Sequence, residues 1–260
     1  MNEDIFLKVA KQAALEAGEI ISGYIGKEHT IKIKNRDGSD VATEADLESE
    51  EKIVEILTKN FSKHNIIAEE KNRIDNNSEY TWIIDPLDGT ISFKSGMPYF
   101  AISIGLLEKN TPILGVIYHV LAKELYWAQK GKEAYLNGKM IKVTKQTELS
   151  SAVMAVDTGH LKRRAQKIER YIIPLLDKVG YVYSIGSGVM CMGLVAKGIQ
   201  DGMASRGFPW DVIAGTVIIR EAGGKVTDME GNEPDWKAEQ IYIIGSNGLI
   251  HNQILEALKS

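Results

Sequence analysis

Trp82-Ile83-Ile84-Asp85-Pro86-Leu87-Asp88-Gly89-Thr90 is the stretch on which this sequence turns. Its apolar, β-branched start reads as the end of a buried strand, expected to stop at Asp85. Pro86 fixes the backbone and removes one donor. Asp88-Gly89-Thr90 then reads as a sharp turn. Two carboxylates three residues apart at the end of a buried strand repel each other and are costly to desolvate. A bound divalent cation would resolve that conflict. An ordinary surface turn would use the same residue types, so on this stretch alone the two readings balance.

Working outward shifts the balance. Ile66-Ile67-Ala68 reads as a short strand that ends at Glu69-Glu70. Thr43-Glu44-Ala45-Asp46 has the form of a capping box opening a helix to about residue 60, with Asp46 at its third position. Trp210-Asp211 precedes an apolar helical run, where Asp211 could serve as N-cap. Each acid has an ordinary explanation: an exposed pair, a capping box, an N-cap. Together, four acidic sites fall at the boundaries of apolar elements, and one shared metal centre accounts for them more economically. Oxygen ligands without His or Cys favour Mg²⁺ or a similar hard ion. The histidines at 29, 64, 119, 160 and 251 show no zinc-ligand spacing.

Two or three Mg²⁺ ions held between carboxylates suit in-line attack of water on phosphorus. Gly89 and Thr90 would offer backbone N–H groups to a phosphate. No G-x-x-x-x-G-K-[ST] loop and no dinucleotide fingerprint occur.

The remaining pattern sets the architecture. A helix is expected over 4–25, with Ile5, Val9, Ala13, Ala17, Ile20 and Tyr24 as its apolar face. A strand at 29–34 and a polar turn at 35–40 follow. The charged, Asn-rich stretch 71–79 reads as a mobile loop. Strands are expected near 80–84, 100–107, 112–119 and 124–128. Asn137-Gly138 marks a hairpin between 134–136 and 140–143. From about 150, strands and helices alternate, including a helix at 165–179. The order predicts an α+β N-terminal lobe, 1–145, carrying most candidate ligands, and an α/β C-terminal lobe, 146–260, completing the site.

Bulk properties exclude several classes. The 260 residues suffice for a sizeable core. A net charge of −4, from 31 basic and 35 acidic residues, argues against a nucleic-acid binder. The basic cluster Lys162, Arg163, Arg164 and Lys167 reads as a solvated helix start. The single cysteine, Cys191, allows no intrachain disulfide and reads as a buried small hydrophobe. With no run of 18 apolar residues, no membrane span is expected. The acidic start, Met1 to Ile5, lacks signal-peptide character, so a cytoplasmic location is expected.

These motifs resemble the inositol monophosphatase family, within the lithium-sensitive, magnesium-dependent sugar and nucleotide phosphatases. The resemblance is near full length and in order. It runs through Ala42-Thr43-Glu44-Ala45-Asp46, Ala68-Glu69-Glu70, Trp82 to Thr90, and Trp210-Asp211-Val212-Ile213-Ala214-Gly215 with Glu221-Ala222-Gly223-Gly224. It implies a layered α-β-α-β-α sandwich, of the inositol monophosphatase/fructose-1,6-bisphosphatase type, and a homodimer. It implies two to three Mg²⁺ per site: Glu69, Asp85 and the Leu87 carbonyl on the first, Asp85, Asp88 and Asp211 on the second, Glu69 on a weaker third. Asp46 and Thr90 would orient and deprotonate the attacking water. The N–H groups of Gly89 and Thr90 would hold the phosphate.

The chain departs from the family at the substrate end. Ser92 stands where Asn is usual, and Tyr183 replaces a common arginine. Residues 203–209 lack the glutamate that many relatives turn to inositol hydroxyls. Arg206 is expected in its place, with Ser187, as a substrate contact. A cation there would suit a second phosphate better than a polyol. The implied activity is hydrolysis of inositol monophosphate and other small phosphomonoesters. The alternatives are a 3′(2′),5′-bisphosphate nucleotidase, a fructose-1,6-bisphosphatase, a histidinol phosphatase or a regulatory binding protein.

Overall fold

A computed structural model describes residues 4–27, 31–33, 41–159 and 161–259. The polar turn expected at 35–40, and the flanks of the strand expected at 29–34, lie outside the described residues.

In chain order the elements are α1 (Ile5–Tyr24), β1 (Ile31–Ile33), β2 (Val41–Thr43), α2 (Glu44–Asn60), β3 (Asn65–Ala68), β4 (Arg73–Ile74), β5 (Tyr80–Asp88) and α3 (Thr90–Lys94). Strands β6 (Ala101–Glu108), β7 (Thr111–His119), β8 (Glu124–Gln129), β9 (Ala134–Leu136) and β10 (Lys139–Ile141) follow. The rest comprises β11 (Val153–Val156), α4 (Leu161–Lys167), α5 (Ile173–Leu176), β12 (Tyr181–Tyr183), α6 (Gly188–Ala196), β13 (Gly202–Gly207), α7 (Pro209–Glu221), β14 (Lys225–Thr227), β15 (Ile241–Ser246) and α8 (His251–Leu258).

An eight-stranded sheet has the order β10-β9-β8-β7-β6-β5-β3-β4, and a five-stranded sheet the order β12-β11-β13-β15-β14. Strand alternation sorts their side chains into three apolar layers. Trp82, Ile84, Ile102 and Ile104 meet α1 and α2. Ile83 and Ala101 face the other way, toward α6 and α7, which Met203 and Ile243 of the second sheet also cover. Met154, Ala204 and Ile244 face outward, onto α5 and α8. The result is the expected α-β-α-β-α sandwich. Helix α7 lies very close to the first sheet: a Cβ on Gly115 would stand 2.1 Å from the Ala214 carbonyl oxygen.

Local chemistry explains where the elements differ from expectation. Asp4 caps α1 by accepting the Phe6 N–H at 2.8 Å. The buried face of α1 is the small-residue stripe Ala10, Ala13, Ala14, Ala17 and Ile21, while Ile5, expected inside, is exposed. Asn137 and Gly138 both have positive φ, as a two-residue hairpin loop requires. The helix expected at 165–179 begins earlier, and a π-helical turn, Ile168–Ile172, separates α4 from α5. Pro174 cannot donate to the preceding turn and crowds it, which favours that irregularity.

The stretch 71–79 is tied down rather than loose. Ile74 pairs with Ile66, and Asn65 Oδ1 accepts the N–H groups of Asn76 and Ser78 at 2.8 and 3.2 Å. Lys167 is not solvated: it is buried and pairs with Asp157. Cys191 is buried, as expected.

Candidate active site

Strand β5 does not stop at Asp85; it runs on beside β6 to Asp88. Asp85 pairs with Ser103 and Asp88 with Ala101, so three steps on β5 match two on β6. This is a one-residue bulge, and it has a chemical consequence. In a regular strand, residues three apart point to opposite faces. The extra residue brings Asp88 back to the face of Asp85. Pro86, which has no N–H to give the ladder, sits in the irregular stretch where that loss costs least. Its carbonyl accepts the Ser49 hydroxyl at 3.0 Å.

Asp211 arrives from the second half of the chain. The Ser103 hydroxyl donates to the Trp210 carbonyl at 2.9 Å and ties the first turn of α7 to β6. Asp211 reaches back to cap that turn, accepting the Phe208 N–H at 2.6 Å. The expected capping role is real, yet the carboxylate also meets the other acids. Asp85, Asp88 and Asp211 each present an oxygen within 4.8 Å of the others. Glu69 lies close enough for its charge to act on Asp85, as do those of Asp88 and Asp211.

Burial, followed by the charges of Glu69, Asp88 and Asp211, holds the Asp85 carboxyl well above the usual carboxylate range. Burial, followed by Asp88 and Glu69, does the same to Asp211. Burial also pushes Asp88 up to about 7, against the opposing bonds it receives from Ser187 and the Val189 N–H. Among the described residues, no lysine or arginine forms an ion pair with these three acids. An all-oxygen donor set, buried at Asp85 and part-buried at Asp88 and Asp211, that no ion pair among the described residues neutralises fits a hard divalent cation.

The neighbouring groups are fixed around that cluster. The Asp46 carboxylate accepts the Thr43 N–H at 2.7 Å with one oxygen and the Thr90 hydroxyl at 3.0 Å with the other. The Leu87 carbonyl lies 3.2 Å from the same hydroxyl. Burial raises the Asp46 carboxyl above its ordinary value, opposed by bonds from Thr43 and Thr90. Gly89 has φ +88°, and a Cβ there would stand 2.4 Å from the Tyr99 carbonyl oxygen, so only glycine fits the turn into α3. Ser187 caps α6, accepting the Met190 N–H at 3.1 Å, and donates its hydroxyl to Asp88.

The structure therefore brings Glu69, Asp85, Leu87, Asp88, Thr90, Asp46, Asp211 and Ser187 together. It does not bring Arg206. On β13, Met203 faces the inner layer and Ala204 the outer one, so Arg206 shares the outer face with Ala204. Its guanidinium stacks 4.9 Å from the centre of the Tyr242 ring, and its Nε is buried with no hydrogen-bond partner among the described residues. Its place where relatives carry a glutamate made Arg206 a candidate; strand parity turns it away. Ser205, buried beside Gly188, occupies the inward position instead.

Two groups escaped the sequence reading. Glu50 and Lys167 are buried, Asp157 beside Lys167 is part-buried, and the Asp157 charge is among those that raise Asp88. For Glu50 a signal existed: an acid one turn after Asp46 on the apolar side of α2.

Comparison with known proteins agrees with this geometry. A family model described as "Inositol monophosphatase family" matches residues 2–260. A protein of Aquifex aeolicus named fructose-1,6-bisphosphatase/inositol-1-monophosphatase is 38% identical, over 98% of this chain and 95% of its own length. Inositol monophosphatase 3 of Solanum lycopersicum is 37% identical, over 97% and 96%. The crystal structure of the extragenic suppressor protein suhB from Bartonella henselae superposes with a TM-score of 0.92 at 30% identity, over 99% of each chain. An acidic cluster in a two-sheet sandwich, matched from end to end, means that this chain belongs to the inositol monophosphatase family and is a phosphoric monoester hydrolase.

Proposed function

We propose that this protein hydrolyses small phosphomonoesters in a Mg²⁺-dependent reaction, with inositol monophosphate as the foremost substrate. The observation that carries the reading is the meeting of Asp85, Asp88 and Asp211 within 4.8 Å, beside a Thr90 hydroxyl already held by Asp46. Glu69, Asp85, Asp88, Asp211 and the Leu87 carbonyl would hold two to three Mg²⁺ ions. When bound, the cations supply neutralisation of the ester's charge and a lower pKa for water. Thr90 Oγ1 orients the attacking water, and Asp46, made more basic by its burial, takes up the proton through that hydroxyl. The N–H groups of Gly89 and Thr90 hold the phosphate. Ser187 keeps Asp88 in place while it caps α6.

Phosphate release measured across inositol monophosphate, fructose-1,6-bisphosphate, adenosine 3′,5′-bisphosphate and histidinol phosphate tests the substrate. The highest kcat/KM is expected for inositol monophosphate, with activity absent without divalent cation and inhibited by lithium at high Mg²⁺. Preference for the nucleotide, or full activity in chelator, overturns the reading. A second activity, toward fructose-1,6-bisphosphate, is favoured by the double name of the Aquifex aeolicus relative.

The working form is a cytoplasmic homodimer. No described helix is long and apolar enough to cross a membrane. Strand β12 is an edge strand that exposes Tyr181 and Tyr183, and a second copy would cover it. Sedimentation at a single monomer mass would exclude the dimer.

A further inference from the structure

Helix α2 carries a second buried carboxylate, one turn beyond Asp46, for which the reaction has no use. Glu50 is fully buried. Its Oε2 accepts the Glu70 N–H at 2.7 Å. Its Oε1 accepts the N–H groups of Lys71 and Asn72 at 3.0 and 2.9 Å, and the Asn72 side-chain amide at 2.8 Å. Three successive backbone N–H groups that converge on one anion make a nest, here filled by the protein's own acid. The turn is closed by Ala68 N–H donating to the Asn72 carbonyl at 2.9 Å, and Lys71 pairs with Glu51 on the outside.

Glu69 stands at the head of that turn. Its own N–H donates to the Ile84 carbonyl at 3.1 Å, one residue before Asp85. The backbone of Glu69 is thus pinned to β5 on one side, and the three residues after it are pinned to α2 on the other. If the turn needed only packing, an apolar side chain would serve without the cost of burying a carboxylate. A carboxylate does what an apolar group cannot: it fixes the direction of several N–H groups at once. Asp46 and Glu50 are four residues apart on α2, so one rigid helix sets both the Asp46–Thr90 pair and the Glu69 turn.

We propose that Glu50 is a positioning residue for the cation centre, acting through the turn 69–72 to hold the Glu69 carboxylate toward Asp85. The inference rests on the reading that Glu69 is a cation ligand. Glu50 touches neither substrate nor cation; its effect is on how tightly the cation is held.

The test uses the full chain with Glu50→Gln, whose amide would confront an N–H donor of the turn. Asn72→Asp, on the same turn, sets a carboxylate against Glu50 and serves if Glu50→Gln fails to fold. Mn²⁺ binding is measured directly, without substrate, by electron paramagnetic resonance. Affinity is expected to fall by about 10-fold or more, the usual range for groups that orient metal ligands. The Mg²⁺ concentration for half-maximal phosphate release should rise by the same factor, with kcat at saturating Mg²⁺ within about 3-fold of wild type. Unchanged Mn²⁺ affinity in the variants, or a lowered kcat with unchanged affinity, overturns the inference while the cation centre stands. Wild-type protein that binds no Mn²⁺ overturns the cation centre, and this inference with it.

Discussion

Two sets of buried and part-buried acids occur in this fold, and their surroundings differ. Glu50 receives four hydrogen bonds from one turn. Asp157 receives the Lys167 ammonium and the Gly159 N–H. Asp201 receives the Val153 N–H and the Thr144 hydroxyl. Asp85, Asp88 and Asp211 face one another instead, and their carboxyls are pushed upward. Each of the three also accepts hydrogen bonds, Asp85 from the Leu87 N–H, Asp88 from Ser187 and the Val189 N–H, and Asp211 from the Phe208 N–H. Those bonds leave the mutual repulsion of the three in place, and that is where the fold holds free energy available for a cation.

The contrast is broken most severely by Asp88→Asn. Asn keeps an acceptor for Ser187 and the Val189 N–H but removes one charge from the conflict. Turnover at saturating Mg²⁺ is expected to fall about 1,000-fold, corresponding to several kcal/mol of lost transition-state stabilisation. Thermal unfolding without cation should stay level or move upward. A fall in both activity and Tm would make Asp88 a structural acid like Asp157.

Solution pH separates the two sets next. A carboxyl with a raised folded pKa binds its proton more tightly in the folded state. Its contribution to stability is full below the unfolded value and is lost as pH rises through the folded one. For Asp88 that loss extends up to about 7 and beyond. His251, pushed down to about 4 by burial, acts in the opposite direction, costing stability as pH falls through its unfolded value. Above about pH 6.5 the unfolded His251 becomes mostly neutral too, so its opposing contribution fades. Between about pH 6.5 and 8, cation-free protein should therefore lose a few degrees of Tm, and Mg²⁺ should restore more at the upper end. A flat or rising Tm in chelator over that range would mean that the acids are already neutralised from within the chain.

Lys167→Met probes the satisfied set. It removes the cation from Asp157 and the bond from Lys167 to the Arg206 carbonyl at 3.3 Å. Because Asp157 retains some solvent exposure, the expected loss is about 1–3 kcal/mol, below the full cost of breaking a buried pair. Denaturant unfolding measures it. Direct Mn²⁺ affinity should change less than in Glu50→Gln; a larger change would join Asp157 to the centre.

Much of this arrangement was legible in the residues. Strand and helix periodicities placed most elements, and acids at element boundaries marked the cluster of Asp85, Asp88 and Asp211. What the sequence hid was parity. The bulge between Asp85 and Asp88 depends on β6, far along the chain, so nothing local reveals that the two acids share a face. The turn after Glu69 looked loose by composition, because the acceptor that orders it, Glu50, lies 20 residues upstream. Lys167 looked solvated because its partner is on another element.

Parity also decides the smallest effect. Arg206 neighbours Ser205, yet the two side chains leave β13 on opposite faces, Ser205 beside Gly188 and Arg206 over Tyr242. Tyr242 is also covered by Arg170, 4.4 Å from its ring centre, so the outer face is already furnished with cations. Arg206→Ala removes one of these two stacking interactions, worth about 0.5–1 kcal/mol at a partly exposed site. KM for inositol monophosphate and kcat should each stay within about 3-fold, since a stacking interaction removed equally from free and bound enzyme leaves transition-state binding unchanged. A KM raised about 10-fold at constant kcat would return Arg206 to the substrate and require β13 to twist at its end, exposing both faces of the strand to one ligand.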